Sequence, residues 1–439
     1  MATDKSPGLT IPFRYLFTGM AVLVAMSVIV VLRAHALTGY FFRSPVFLAL
    51  THLLTLGWIT LTIMGAMFQL VPVVTERALF SVAISRVVYY VYCAGLVLLI
   101  YAFASNTEAG AGAGVVGVAV VLFLFDIGVT MFRPGEQGRA VAGPGAGSPP
   151  DTTKGTGRPD LAVWYVRAAM VSLLLTIVIG PVAAAGLHAR ITDDPFALLT
   201  LHMAVAGIGW VCFAVIGFSL RLIPMFILSH GYEETYGWTS FVMLLSGLVL
   251  FVLYCTLRLL IPGLAGIDWV GLAGGMTMLI GIVCYVLQMR VIYGQRTRRQ
   301  IEPAVWFSIC ATAYLLIAGV TGVWMLAFRH SFRLGIVYAI AGLLGFAGMY
   351  IIGMMHKIVP FLHWYNRYSS RIGTGKVPMT KDMISAPLTW LQLFVFNTGI
   401  LMLASGVLMG ASGIILISGI MLFVGSLMFL WNIANVLRK

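Results

Sequence analysis

The chain has 439 residues, of which 60% are hydrophobic and 9% charged, with a mean hydropathy of +1.00. Roughly a quarter of the residues in soluble domains are charged, so this composition excludes a soluble enzyme and marks an all-α polytopic membrane protein. The net charge of +13 does not indicate nucleic-acid binding, because the basic residues are scattered among connections between apolar segments rather than gathered in one run.

A helix that crosses a bilayer needs about 20 apolar residues. Twelve segments qualify: 12–33, 44–74, 82–104, 111–132, 161–187, 195–228, 237–259, 266–292, 303–327, 332–364, 385–409 and 411–436. Of the 27 Lys and Arg residues, 21 fall at the termini and even connections and 6 in the odd connections. That excess predicts cytoplasmic termini in a bacterial inner membrane, surrounded by lipid. The first segment follows a weakly basic start without a small-residue cleavage site and is expected to be a retained helix rather than a signal peptide. The five cysteines lie within spans, with no CxxC or CxxCH spacing. Neither a disulfide framework nor covalent heme attachment is expected.

In chain order, the first helix leads to an outer loop with Arg33, His35 and Arg43. The second helix carries His52, and then a pattern that recurs. Gly57-Trp58, Gly65 and Gln69-Leu-Val-Pro72 are repeated at identical spacing as Gly209-Trp210, Gly217 and Arg221-Leu-Ile-Pro224 on the sixth helix. On the tenth they recur as Gly345-Phe346, Gly353 and Lys357-Ile-Val-Pro360. Small residues at fixed spacing let neighbouring helices approach closely, and Pro bends or ends a helix. A threefold repeat on every fourth helix predicts three pseudo-symmetric four-helix units within one membrane domain spanning 1–439: residues 1–132, 161–292 and 293–439. The Gly-, Pro- and Ser-rich stretch 133–160 reads as a flexible cytoplasmic linker. Asp126 is a carboxylate in the inner half of the fourth helix. The sixth helix follows an outer loop with His188, Arg190, Asp193 and Asp194, and carries His202 near its outer end. The ninth and tenth helices are joined by a loop with Arg329, His330 and Arg333. The tenth ends in His356, Lys357, His363, Trp364, Tyr365 and Tyr368, which read as an inner interface belt.

Three sets of residues are candidates for function. His52 and His202 lie in spans at similar depth, and an ionisable group there is a functional candidate by default. A neutral imidazole facing a bundle interior suits heme iron or copper, packing being the plain alternative. The two are not strictly symmetric: counted back from the repeat Pro, His52 is twenty residues away and His202 twenty-two, where the third copy has Ile340 and Tyr338. The outer loops before the repeat helices pair Arg33 with His35, Arg190 with His188 and Arg329 with His330. These form a candidate cationic rim for heme propionates, with the three histidines as weaker metal candidates. Gln69, Arg221 and Lys357 could form an inner polar ring for an anion, or snorkel to the interface. Asp126 is expected to pair with Arg221 or Lys357.

The stretch Thr51 to Trp58, its later copies and the twelve-helix plan resemble subunit I of the heme-copper oxidase superfamily, and most closely its small stand-alone members. The resemblance implies that His52 is an axial ligand of a low-spin heme and that His202 takes the place of a copper ligand. The superfamily also has a His pair on the seventh helix and a His-x-His on the tenth. Residues 237–259 contain no His, and the tenth helix has only His356 and His363, both toward its inner end. The binuclear oxygen-reducing centre therefore cannot be built as in the superfamily. The resemblance implies a divergent membrane hemoprotein, binding b-type heme and possibly also copper, for electron transfer or for handling nitric oxide or another small gas. Tyr338 would hydrogen-bond a ligand or move a proton. The alternative is a cofactor-free transporter for a small anion held by the inner ring. A small gas or an electron donor, and a second copy of the chain, are the expected partners.

Overall fold

A computed structural model describes residues 8–39, 44–133, 160–189, 194–261, 263–298, 300–328, 332–371 and 377–439. The linker 134–159 lies outside them. Among the described residues, twelve helices are long and apolar enough to cross a membrane. They are α1 (Thr10–Leu32), α2 (Pro45–Thr75), α3 (Val82–Ser105), α4 (Gly110–Phe132), α5 (Leu161–Ala185) and α6 (Phe196–Ile227). The second half comprises α7 (Thr235–Leu260), α8 (Ile267–Gly294), α9 (Pro303–Ala327), α10 (Phe332–Arg371), α11 (Ala386–Met409) and α12 (Ser412–Arg438). Twelve being even, the chain starts and ends on one face, called proximal below; the opposite face is distal.

The helices form three units of four. Neighbouring units touch through α4 and α5, α8 and α9, and α12 and α1, which closes the outer ring. The repeat helices α2, α6 and α10 meet at the centre. Trp210 Nε1 of α6 donates to Thr60 Oγ1 of α2 at 2.9 Å, and a methyl added at Gly348 of α10 would lie 3.7 Å from Trp58 Nε1.

The repeat glycines set how closely each unit's first helix approaches its second. A methyl at Gly65, Gly217 or Gly353 would lie 2.5 Å from Tyr15 Cβ, 2.8 Å from Tyr165 Cβ or 2.7 Å from Phe307 Cβ. Seven residues further along each first helix, Val22, Ser172 and Tyr314 occupy the space a side chain at Gly57, Gly209 or Gly345 would need. The third and fourth helices are also tied alike. Asp126 Oδ1 accepts from Ser81 N at 2.9 Å, Gln288 Oε1 from Gly237 N at 2.9 Å and Asn432 Oδ1 from Ser385 N at 3.0 Å. N–H groups at the start of a helix lack intrahelical partners, and a buried acceptor supplies one where water is excluded.

Each repeat helix also contains a π-helical stretch that covers its Gly-aromatic pair: Leu53–Thr60, Val205–Cys212 and Ile340–Gly348. Such turns insert one residue and are frequent at functional sites. Here they divide each central helix in two. On the proximal side, residues 57–72 and 344–360 are buried apart from Ala66 and Lys357. On the distal side, none of residues 45–56 and 332–340 is fully buried. The distal half of α6 is mixed, with Ala197, Leu198, Leu201, Ala204 and Val205 buried, so the central helices are packed more tightly on the proximal side than on the distal.

Candidate functional site

The two intramembrane histidines lie in this less tightly packed distal half. His52 stands immediately before the π-helical turn of α2. Its Nδ1 is 2.8 Å from the Leu48 carbonyl. A carbonyl only accepts, so Nδ1 carries the proton and Nε2 keeps its lone pair. A backbone carbonyl that fixes a histidine tautomer in this way is the usual second-shell support of a metal-ligating imidazole. Phe103 of α3 packs on the ring, centroid to centroid at 4.5 Å.

His202 lies on α6, three residues before its π-helical turn. Its ring rests on Gly180 of α5, where a methyl would come within 2.9 Å of Cε1. The Nδ1 atom is buried without a hydrogen-bond partner among the described residues. The two rings lie within range of each other's charge. Nearby, Gly207 of α6 has nothing within 4 Å of the position its Cβ would take. Tyr338 is half-buried on α10 against Gly322 of α9. Two imidazoles on neighbouring central helices, one with its tautomer fixed and one with an orphaned nitrogen, are donor types that could hold a heme iron or a copper ion.

The cationic rim is only partly visible. Arg33 and His35 are exposed on the distal face, whereas the side chains of His188, Arg190, Arg329 and His330, like Arg43, lie outside the described residues. Among those described, no three His, Cys, Asp or Glu side chains gather as a metal site. A copper site there would rest on His52 and His202 alone. Asp194 caps α6 by accepting from Ala197 N at 3.0 Å and pairs with Arg258 at 2.8 Å.

The inner polar positions do not form a common ring. Arg221 is 3.9 Å from Asp160 and more than half exposed; Lys357 pairs with Glu302. Asp160 and Glu302 are equivalent residues, each directly before the first helix of its unit, where a negative charge also favours the helix dipole. Gln69 is buried and faces a central cavity of about 50 Å³, lined also by Thr62 and Tyr350. The expected pairing of Asp126 with Arg221 or Lys357 is therefore not made. Asp126 turns toward the start of its own unit's third helix, and the two cations find acids at the proximal interface. On that face, lost hydration and then the Asp160 charge push the Glu234 carboxyl above its ordinary range, while Arg221 opposes the shift.

His356 is the second correction. It is buried in the third unit rather than placed in an interface belt. Its ring lies 5.8 Å from Phe307 and 5.1 Å from Phe429. The equivalent place in the first unit is held by Phe68, between Tyr15 at 5.4 Å and Phe123 at 5.3 Å. His356 Nδ1 is tied to Ile352 O at 2.8 Å. Buried Gln392 lies within side-chain hydrogen-bonding reach of this ring, although neither His356 Nε2 nor the Gln392 amide atoms make a hydrogen bond of good geometry among the described residues. Gln392 stands where the first two units have Val88 and Leu244, and nothing in the sequence pattern had singled it out.

No protein-family model and no curated protein matches the sequence. Among solved structures, a heme-copper terminal oxidase dimer determined by cryo-EM matches with a TM-score of 0.68 at 10% sequence identity, over 99% of this chain and 85% of that one. The chain has the fold of a heme-copper terminal oxidase. At that identity the likeness concerns the fold alone. Within the oxidase fold, His52 and His202 occupy the second and sixth helices, and α7 and the distal half of α10 contribute no histidine.

Proposed function

We propose that this chain is a divergent heme-copper-oxidase-like hemoprotein that holds a b-type heme in its distal half. The observation that carries the proposal is His52 on α2, with Nδ1 tied to Leu48 O and Nε2 free to ligate, in the same distal half of the bundle as His202 on α6. His52 would ligate the heme iron, with His202 as a second ligand to it or as a copper ligand. Arg33, Arg190 and Arg329 would meet the propionates, and Tyr338 would hydrogen-bond a small ligand. The heme would supply one-electron and gas-binding chemistry, while the protein sets access and potential. With no histidine on α7 or distal α10, electron transfer or the handling of nitric oxide or another small gas is favoured over terminal oxygen reduction. Cytoplasmic termini in a bacterial inner membrane, from the basic-residue bias, and self-association, suggested by the dimeric oxidase, complete the proposal. The transporter alternative loses support because Arg221 and Lys357 each face an acid rather than a shared site.

The test is the visible spectrum of detergent-purified protein, oxidised and dithionite-reduced, with a pyridine hemochrome assay. A Soret band lost or shifted in His52→Ala supports the proposal. Protein made with heme available that carries none refutes it.

A further inference from the structure

The proximal seam between the first and second units gathers three guanidinium groups. Arg77, in the turn after α2, donates through Nη1 to the carbonyl of Met131 in the last turn of α4. Arg133, directly after α4, places Cζ 4.6 Å from the centre of the Phe80 ring. Arg167, in the second turn of α5, stacks between Phe132 and Trp164 at 5.1 and 5.2 Å. None of the three has a carboxylate within salt-bridge distance among the described residues. The Nε atoms of Arg77 and Arg167 are buried without a partner there.

The three positions are not basic at every seam. At the α8–α9 seam the equivalent positions are Ser229, Gln295 and Ile309; at the α12–α1 seam they are Tyr365, Lys439 and Phe17. Other basic residues lie at those two seams, among them Arg298, which pairs with Glu302, and Arg438, which lies over the Trp431 ring. Phe132 and Trp164, 66% and 37% exposed, lie level with the guanidinium groups; toward the middle of the bundle the surface of α4 and α5 is apolar and open, with Phe125 51%, Val121 50% and Val171 60% exposed. Guanidinium groups recognise phosphate oxygens through paired N–H donors. An apolar, lipid-depth wall beneath them suits acyl chains, and Trp at the level of the guanidinium groups is an interfacial anchor.

We propose that this seam binds one anionic phospholipid. Its phosphate lies among Arg77, Arg133 and Arg167, and its chains run past Phe132 and Trp164 onto Phe125, Val121 and Val171. The lipid would bridge two units that are otherwise joined there by the α4–α5 contact and the linker. A free phosphate shares the headgroup chemistry but would leave the apolar wall unused.

The experiment is native mass spectrometry and thermal unfolding of the full-length detergent-solubilised protein, titrated with phosphatidylglycerol, phosphatidylcholine or inorganic phosphate. Phosphatidylglycerol is expected to bind and raise the unfolding temperature, with the other two far weaker. Each arginine near an anionic surface contributes about fivefold in affinity. Arg133→Gln should therefore weaken binding about fivefold, and the triple variant Arg77→Gln, Arg133→Gln, Arg167→Gln about a hundredfold. Arg290→Gln with Arg296→Gln, at the end of α8, should leave binding unchanged. Should the triple variant fail to fold, Arg133→Gln decides, because its side chain is exposed and stacks on the Phe80 ring rather than supporting the helix packing. Equal binding of the two lipids, an equal response to inorganic phosphate, or no weakening in Arg133→Gln would overturn the proposal.

Discussion

Gly353→Ala tests whether the repeat glycines hold the units together. A methyl at that position would lie 2.5 Å from the Ala304 carbonyl oxygen and 2.7 Å from Phe307 Cβ, whereas ordinary contact begins at 3.4 Å. The α9 and α10 backbones would have to separate by about 0.9 Å. The close neighbour is backbone, so no rotamer change relieves the clash. Overpacking a close-packed interior costs about 1–3 kcal/mol, and a backbone contact belongs at the upper end. For a cooperative transition of a chain this long, that lowers the unfolding temperature by about 2–3 °C. Gly207→Ala is the control, because nothing lies within 4 Å of its Cβ position. Thermal unfolding of both variants in one detergent, followed by circular dichroism, should show Gly353→Ala below wild type and Gly207→Ala level with it. If the two unfold together, close approach at the repeat glycines does not set the packing of these helices.

Two further substitutions probe the buried polar positions. Asp126→Asn keeps the acceptor for Ser81 N and matches Asn432 in the third unit, so its stability should equal or exceed wild type. Asp126→Val leaves that N–H unpaired and should lose about 1–3 kcal/mol; identical denaturation midpoints for both would remove the capping role. His356→Phe with Gln392→Val gives the third unit the side chains of the first, Phe68 and Val88. Because replacing both partners of a buried polar pair by apolar groups of similar shape is nearly neutral or stabilising, the double variant should be at least as stable as wild type in chemical denaturation. A clear loss would show that the two side chains hold a bound group.

The twelve helices and the threefold repeat were legible because both rest on side-chain type at fixed spacing. Gly57, Gly65 and Pro72 have identical counterparts, and hydropathy marks each span. The cap on the third helix was not legible, since Asp126, Gln288 and Asn432 are three residue types serving one purpose. The π-helical turns have no residue signature that separates them from α-helix. His356 was misplaced because Lys357, Trp364 and Tyr365 resemble an interfacial belt. In fact α10 continues to Arg371, which places His356 roughly four turns from its end. Of the distal site, His52 and His202 could be read from sequence as ionisable groups within spans. Their placement in one half of the bundle is a tertiary fact, and the Leu48 bond, though local to α2, depends on the His52 rotamer rather than on residue type.

The three units share one frame and differ in where they carry polarity, and this is what gives the histidines weight. Capping acceptors, helix-start acids and close-approach glycines recur because each unit must satisfy the same backbone groups and pack the same faces. A polar side chain that breaks the threefold pattern has no such structural reason. His52 faces Ala204 and Ile340 at its equivalent positions, and His202 faces Leu50 and Tyr338. Both departures lie on the distal, loosely filled half of the central helices and within range of each other's charge. His356 breaks the pattern as well, but in the filled proximal half and beside Gln392. The asymmetry therefore favours ligation at the distal pair and assigns to the proximal half the task of holding the frame.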